Sequence, residues 1–307
     1  MFRPNNGPAS EWVGIPCALM VLKPSPTDRC DANKIRNRHQ CIREVIQEFP
    51  FPGYMEPMLD AYDSIMENCL KLLPTGSRIL DFGAGPCEKA AVLTRIGFRC
   101  AAVDDLTDNW HQIGDNRNKL CKFAKEQKVE LFVADHVPND LRQESFDMVM
   151  LHDVIEHFAD SPRSLLLDLV EILRPGGYLY ITVPNAVNLR KRLLVLLGRT
   201  NYPAYPAYFW SGKVWRGHKR EYVKSDLAQL CEFLGLEMVL LKGQHHRLRT
   251  LPLWARKLYK LTIGQVDSLR DTVALIGRKG PDWRPGEITP DQYRQIQQRE
   301  STYQFGC

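Results

Sequence analysis

The sequence predicts an α/β fold: a doubly wound, mostly parallel sheet of seven strands with helices on both faces. Three observations predict it. From Ser77 onward, short β-branched or aliphatic runs alternate with amphipathic stretches of helical period, an order that implies right-handed crossovers and a sheet covered on both sides. The first run ends in a pair of glycines, Gly83 and Gly85, directly before a helical stretch. Acids close the first three runs, at Asp81, Asp104 and Asp135.

Taken in order, residues 1–30 carry Pro4, Pro8, Pro16, Pro24 and Pro26 and read as an irregular arm. Helical patterns follow at about 35–48 and 56–73, the second stopping before Pro74. SRILDF is the first strand, a helix near 87–96 follows, and FRCAAVD is the second strand. A polar helical stretch near 113–127 leads to VELFVAD and then to FDMVML. A helix near 162–173 precedes GYLYITVPN, and after a long insertion come a helix near 224–234, the strand LEMVLL, a basic helical segment near 251–260 and the strand TVALIG. This gives an N-terminal arm and helix (1–55), a main domain (56–280) with an insertion at about 186–222, and a polar tail (281–307) expected to be detached or loosely docked.

Composition narrows the function. A chain of 307 residues, 44% hydrophobic and 25% charged, can bury a core, which excludes a chain disordered throughout, a collagen-like repeat or a coiled coil. No run approaches the length of a membrane-spanning helix. The apolar stretch from Trp12 to Leu22 contains Gly14 and Pro16, follows Glu11 and lacks a small-residue cleavage site, so a cytoplasmic protein is expected. The nine cysteines are scattered without zinc-ribbon spacing and read as reduced packing residues.

The loop Asp81-Phe82-Gly83-Ala84-Gly85 lets the backbone approach a ligand at the carboxyl end of the first strand, where doubly wound sheets bind ligands. Glu88 stands where a nicotinamide fingerprint needs a small residue, which disfavours an oxidoreductase. Asp104 is placed to accept from the two hydroxyls of a ribose, and Asp135 to meet the amino edge of an adenine. Together these acids describe a rim for a nucleoside without a phosphate chain.

With DFGAG, VDD, VAD, SFDMVMLHDVIEH and LRPGGYLYITVPN in this order, residues 77–185 resemble the core of the class I S-adenosylmethionine-dependent methyltransferases. The resemblance implies a Rossmann-like sheet whose last strand pair is reversed, and S-adenosyl-L-methionine as cofactor. Carried over residue by residue, the cofactor contacts fall on Asp81, Phe82, Gly83, Ala84, Gly85, Asp104, Asp105, Asp135 and His152. The sulfonium supplies an electrophilic methyl, leaving alignment and proton removal to the protein. For a hydroxyl acceptor, His152, His157 and His218 are the candidate bases.

After the fourth strand, Asp153, Glu156 and His157 at i, i+3 and i+4 would share one face of a helical turn, with His218 as a fourth partner presented by Gly217. Ubiquinone-pathway O-methyltransferases and the methyltransferases of the 2′-hydroxyl at small-RNA ends carry a similar acid-x-x-Glu-His run. That resemblance implies a magnesium or related divalent cation, with the four residues as ligands. Asp153 is shorter than the glutamate commonly found first. Without a metal, Glu156 and His157 read as a local cap and ion pair.

Charge is unevenly spread. Between residues 186 and 260, fifteen Lys and Arg stand against four acids, a net +11 within a chain of formal charge +5. Tyr202, Tyr205, Tyr208, Phe209, Trp210, Trp215 and Trp254 are interleaved with these cations. A small-molecule or sugar acceptor, a lipid-linked acceptor with peripheral contact to the inner face of an anionic membrane, and RNA all fit, as does a plain solvated surface. RNA fits least, because no RNA-binding module is appended. The insertion also resembles that of methyltransferases associated with glycan or cell-envelope assembly. The expected function is methyl transfer to a hydroxyl oxygen, against two alternatives: a non-catalytic cofactor-binding scaffold or an RNA 2′-O-methyltransferase.

Overall fold

A computed structural model describes residues 32–305 apart from 143–144, 201, 213–214 and 247. The proline-rich arm expected at 1–30 lies outside the described residues. In chain order the elements are α1 (Ala32–Glu48), α2 (Leu59–Leu72), β1 (Arg78–Phe82), α3 (Glu88–Arg95), β2 (Arg99–Asp104), α4 (Asn116–Glu126), β3 (Glu130–Val133), α5 (Asn139–Arg142), β4 (Phe146–His152), α6 (Arg163–Glu171) and β5 (Leu173–Pro184). They continue as α7 (Leu189–Leu196), α8 (Tyr205–Phe209), α9 (Lys224–Phe233), β6 (Glu237–Gln244), α10 (Leu253–Leu261), β7 (Thr272–Arg278) and α11 (Pro290–Phe305).

The strands form one seven-stranded sheet in the order β3-β2-β1-β4-β5-β7-β6. β1 to β5 pair in parallel, while β7 enters between β5 and β6 and runs against both. This is the reversed final pair. Strand order turns back between β1 and β4, so the cleft at their carboxyl ends is the switch point.

Side-chain alternation splits the core into two layers. On one face Ile79, Ala102, Met148, Met150 and Tyr180 pack under α1, α2 and α3. On the other, Leu80, Val103, Val149, Leu151 and Ile181 pack under α6 and α9. Because both faces are covered, the strands read as near-continuous apolar runs.

Two expectations at the chain ends need correction. α1 does not belong to a separate arm: its Cys41, Ile42 and Val45 are buried in the first core layer. The tail is not detached along its length. Trp283 Nε1 donates to Leu234 O at 2.7 Å, the Gly286 amide donates to Phe233 O at 2.9 Å, and Arg284 O occupies the space that a Cβ on Gly235 would need. Only beyond these contacts does the chain enter α11, whose side chains are exposed over 290–298 and whose sequence carries no apolar stripe. Among the described residues no helix is long and apolar enough to cross a membrane.

Candidate active site

The glycine loop is held by backbone bonds from above and a carboxylate from the side. Gly83 and Ala84 both donate to Val103 O, at 2.8 and 3.1 Å. Gly83 has φ +69°, and a Cβ there would meet Val154 Cγ2 at 2.6 Å, so glycine is required both for conformation and for space. The Gly85 amide donates to Asp104 Oδ2 at 2.7 Å and the Leu106 amide to Asp104 Oδ1 at 2.8 Å. Burial raises the Asp104 carboxyl above its ordinary value despite these two donors. A carboxylate offers about four acceptor sites, so each oxygen can still take one hydroxyl proton.

The neighbouring candidates divide. Asp105 caps the Thr107 amide at 2.8 Å and lies 3.6 Å from Arg216 Nη1. Asp135 is exposed just beyond β3 and bonds His136 Nδ1 at 2.8 Å, which lowers its carboxyl. The side chains of Phe82 and Ala84 are spent in the core, leaving only their backbone for a ligand. Asp81 is buried at the end of β1, and burial pushes its carboxyl to about 7. Glu88 is not a defect in a fingerprint: it is buried and accepts from Lys89 Nζ at 2.8 Å.

His152 differs from its expected role. Its ring is 3% exposed, lies 4.7 Å from the Tyr180 ring, and bonds Thr182 Oγ1 through Nδ1 at 2.8 Å. Burial holds it well below the ordinary imidazole value, and it does not line the large cavity described below. A base acting on an acceptor there needs reach that His152 lacks.

The geometry after β4 also departs from the expected helical turn. Asp153 donates its amide to Thr182 O at 2.9 Å, still in the manner of the sheet, but takes φ +58°. That left-handed residue breaks the i, i+3, i+4 relation, and a 3₁₀ turn begins only at Ile155. Asp153 therefore leaves the expected metal set and faces His246, whose Nε2 is 3.7 Å from Asp153 Oδ2.

Glu156, His157 and His218 do come together, with one potential ligand atom from each lying within 4.8 Å of the others. Loop 215–222 docks on the turn: the Lys219 amide donates to Glu156 O at 2.7 Å, and His157 Nδ1 bonds Arg216 O at 2.7 Å. His218 Nδ1 bonds Glu221 Oε1 at 3.0 Å. Both imidazoles thus have Nδ1 engaged, leaving Nε2 as the available nitrogen. Glu156 is fully buried with neither oxygen hydrogen-bonded. Burial, followed by the charge of Asp153, pushes its carboxyl to about 9. A buried carboxylate without a donor, beside two oriented imidazoles, is a donor set that suits a divalent cation. Gly217 serves this loop by making room rather than by bending: a Cβ there would meet the Trp215 ring at 2.0 Å.

A cavity of about 970 Å³ opens beside this group, bordered by Asp153, His218, Glu221, His246 and Thr272 near the sheet and by Leu193 and Tyr259 farther out. The sequence reading missed its inner wall. His245 and His246 follow β6, which runs three residues past the expected LEMVLL; Thr272 Oγ1 is 3.2 Å from His246 Nδ1, and the Asp271 carboxylate accepts the His246 amide at 3.1 Å. Lys191, buried on α7, pairs with Glu221. The pair of histidines at a strand end was the available signal.

A family model described as a methyltransferase domain matches residues 54–241, more than half of the chain. Among curated relatives, a ubiquinone biosynthesis O-methyltransferase of Caulobacter sp. (strain K31) is 30% identical over 113 residues, 36% of this chain and 42% of that protein. A tRNA (carboxymethyluridine(34)-5-O)-methyltransferase of Macaca fascicularis is 27% identical over 154 residues, 47% of this chain and 19% of that protein. The chain thus spans less than half the length of these two relatives. An N-methyltransferase structure from Bradyrhizobium japonicum WM9 with S-adenosyl-L-homocysteine aligns at TM-score 0.45 and 13% identity, over 80% of this chain and 100% of that one.

Proposed function

The chain belongs to the methyltransferase domain family; from that premise we propose that it is an S-adenosylmethionine-dependent methyltransferase that methylates a hydroxyl oxygen of an acceptor held in the cavity beside β4, β5 and β6. The carrying observation is the buried, unpartnered carboxyl of Glu156 grouped with His157 and His218, of which His218 also lines an acceptor-sized cavity. The acceptor is a small molecule, sugar or lipid-linked compound. The relatives named for O-methylation, in ubiquinone biosynthesis and of a tRNA carboxymethyluridine, support an oxygen acceptor.

In the proposed mechanism Asp104 fixes the glycine loop and takes the ribose hydroxyls of the cofactor, with Asp81, Asp105 and Asp135 as the remaining acids of that rim. Gly83 lets Val154 close against the loop, and the acceptor would reach the cofactor's methyl end past Asp153, which borders the cavity. The acceptor oxygen forms a bond to the methyl carbon as the carbon–sulfur bond breaks, and its proton passes to Nε2 of His218, the imidazole of the pair that lines the cavity. Glu156, His157 and His218 would hold magnesium or a related divalent cation, which when bound supplies Lewis-acid polarisation of the hydroxyl. In that state the two histidines are ligands and Glu221 orients His218. Loop 215–222 packs on the turn through the Lys219 amide and the Arg216 carbonyl and so fixes the two imidazoles.

The test is a methyl-transfer screen with radiolabelled cofactor against phenolic, sugar and lipid-linked hydroxyl acceptors, with and without chelator. Transfer to at least one hydroxyl acceptor is expected. Methylation only of amines or carbon acceptors would refute the oxygen assignment.

A further inference from the structure

The helices around the cavity mouth carry their apolar residues on the outside. In α10, Leu253, Trp254, Leu258 and Leu261 fall at i, i+1, i+5 and i+8, one face of a helix, yet they are 58–79% exposed. A soluble helix turns such a face inward. α7 repeats the inversion with Leu193, Leu196 and, at its C-cap, Leu197, and the α8 segment adds Tyr205, Phe209 and Trp210, all exposed. So contiguous an apolar surface calls for a partner.

Charge says which partner. The region bearing these residues holds the +11 excess, and among the described residues no carboxylate forms an ion pair with Arg190 in α7, with Arg199 just after it, or with Lys257 and Lys260 on α10. Apolar and aromatic side chains flanked by uncompensated cations match the interface of an anionic bilayer, where the rings and aliphatic chains enter the acyl boundary and the cations meet headgroup phosphates. The surface also borders the cavity, since Leu193 and Leu194 of α7 and Tyr259 of α10 form its outer wall.

We propose that α7, the α8 segment and α10 form a docking surface for an anionic membrane, and that the cavity between α7 and α10 receives the reactive head of a lipid-borne acceptor whose apolar tail stays in the bilayer. The second clause rests on the methyltransferase reading; the docking surface does not. Docking would spare the acceptor from leaving the bilayer and would cover the exposed rim during turnover.

The experiment is vesicle sedimentation of the full chain with phosphatidylcholine vesicles, alone or containing about 30% phosphatidylglycerol, alongside calorimetry with S-adenosylmethionine and sedimentation velocity without lipid. Wild type should partition onto the anionic vesicles at least tenfold more strongly than onto neutral ones. Trp254→Ser with Leu258→Ser should lower that partitioning at least tenfold, with melting temperature and cofactor affinity unchanged because both side chains are exposed. Lys257→Glu with Lys260→Glu should abolish the preference for anionic vesicles. Three results would overturn the docking surface: no partitioning by wild type, equal partitioning by the serine variant, or a lipid-free dimer that the serine variant dissociates, which would make the face a contact between two copies. Absence of cofactor binding would instead refute the methyltransferase reading while leaving the vesicle result standing.

Discussion

His218 Nδ1 lies 3.0 Å from Glu221 Oε1, and Glu221 is paired in turn with the buried Lys191. Against the upward push of burial, the bonds from His218 and Lys191 hold the Glu221 carboxyl below its ordinary value, so it stays ionised. The relay holds the His218 ring, whose centroid lies 5.0 Å from that of His157, through its Nδ1. Replacing Glu221 by Gln should therefore lower kcat about tenfold, or weaken a bound divalent cation by about 10–100-fold, with cofactor affinity unchanged. Steady-state kinetics across a manganese titration measure both. Wild-type kcat at every manganese concentration would remove the relay from the mechanism.

Asp81 makes apo stability depend on pH. Its carboxyl sits at about 7 in the folded chain because it is buried, against an ordinary value near 3.9 in the unfolded chain. The folded state therefore binds this proton more tightly, and the group's contribution to stability is full below pH about 4 and is lost as the pH rises to about 7. The group's share of that decline is roughly 4 kcal/mol. Denaturant melts of ligand-free wild type and Asp81→Asn at pH 5 and pH 8 test this: the variant should lose less stability than wild type between the two. Parallel losses would contradict the assignment.

Gly217→Ala should disturb the site without touching the cofactor. The added methyl would lie 2.0 Å from the Trp215 ring, so the ring must leave its place, at about 1–3 kcal/mol for overpacking. Because His157 bonds the neighbouring Arg216 carbonyl, turnover should fall at least tenfold while cofactor affinity holds. Unchanged turnover would show that the loop is not part of the working site.

Truncation should discriminate within the tail. Removing residues after Ile288 keeps the Trp283 and Gly286 contacts and should leave the melting temperature unchanged. Removing those after Gly280 also deletes Trp283 and its bond to Leu234 O, worth about 1–2 kcal/mol, and should lower it by about 2–6 °C. Equal melting temperatures for the two truncations would mean that the Trp283 contact contributes nothing.

The sheet was legible because period and punctuation agree in it: apolar runs of strand length, glycines at the first turn, and acids at the strand ends. Distance along the chain did not hide His218, since its glycine and cations marked it 61 residues past His157. What could not be read was local backbone sign. Nothing in LHDVIEH announces that Asp153 takes φ +58°, so helical spacing assigned it to the wrong partner, and His246 went unnoticed because β6 outruns its apolar core by the polar residues Lys242 and Gln244. Burial was equally silent: a histidine closing a strand reads as exposed to the cleft, but His152 is packed against Tyr180.

Calorimetric titration of the chain with S-adenosylmethionine, with nicotinamide dinucleotide as the control, tests the central claim most directly. Wild type should bind S-adenosylmethionine in the micromolar range, about 8 kcal/mol, and should ignore the dinucleotide. Asp104→Ala removes both the anchor of the Gly85 amide and the proposed ribose acceptor, and should weaken binding at least tenfold. No heat with S-adenosylmethionine, or equal affinity in wild type and Asp104→Ala, would contradict the account.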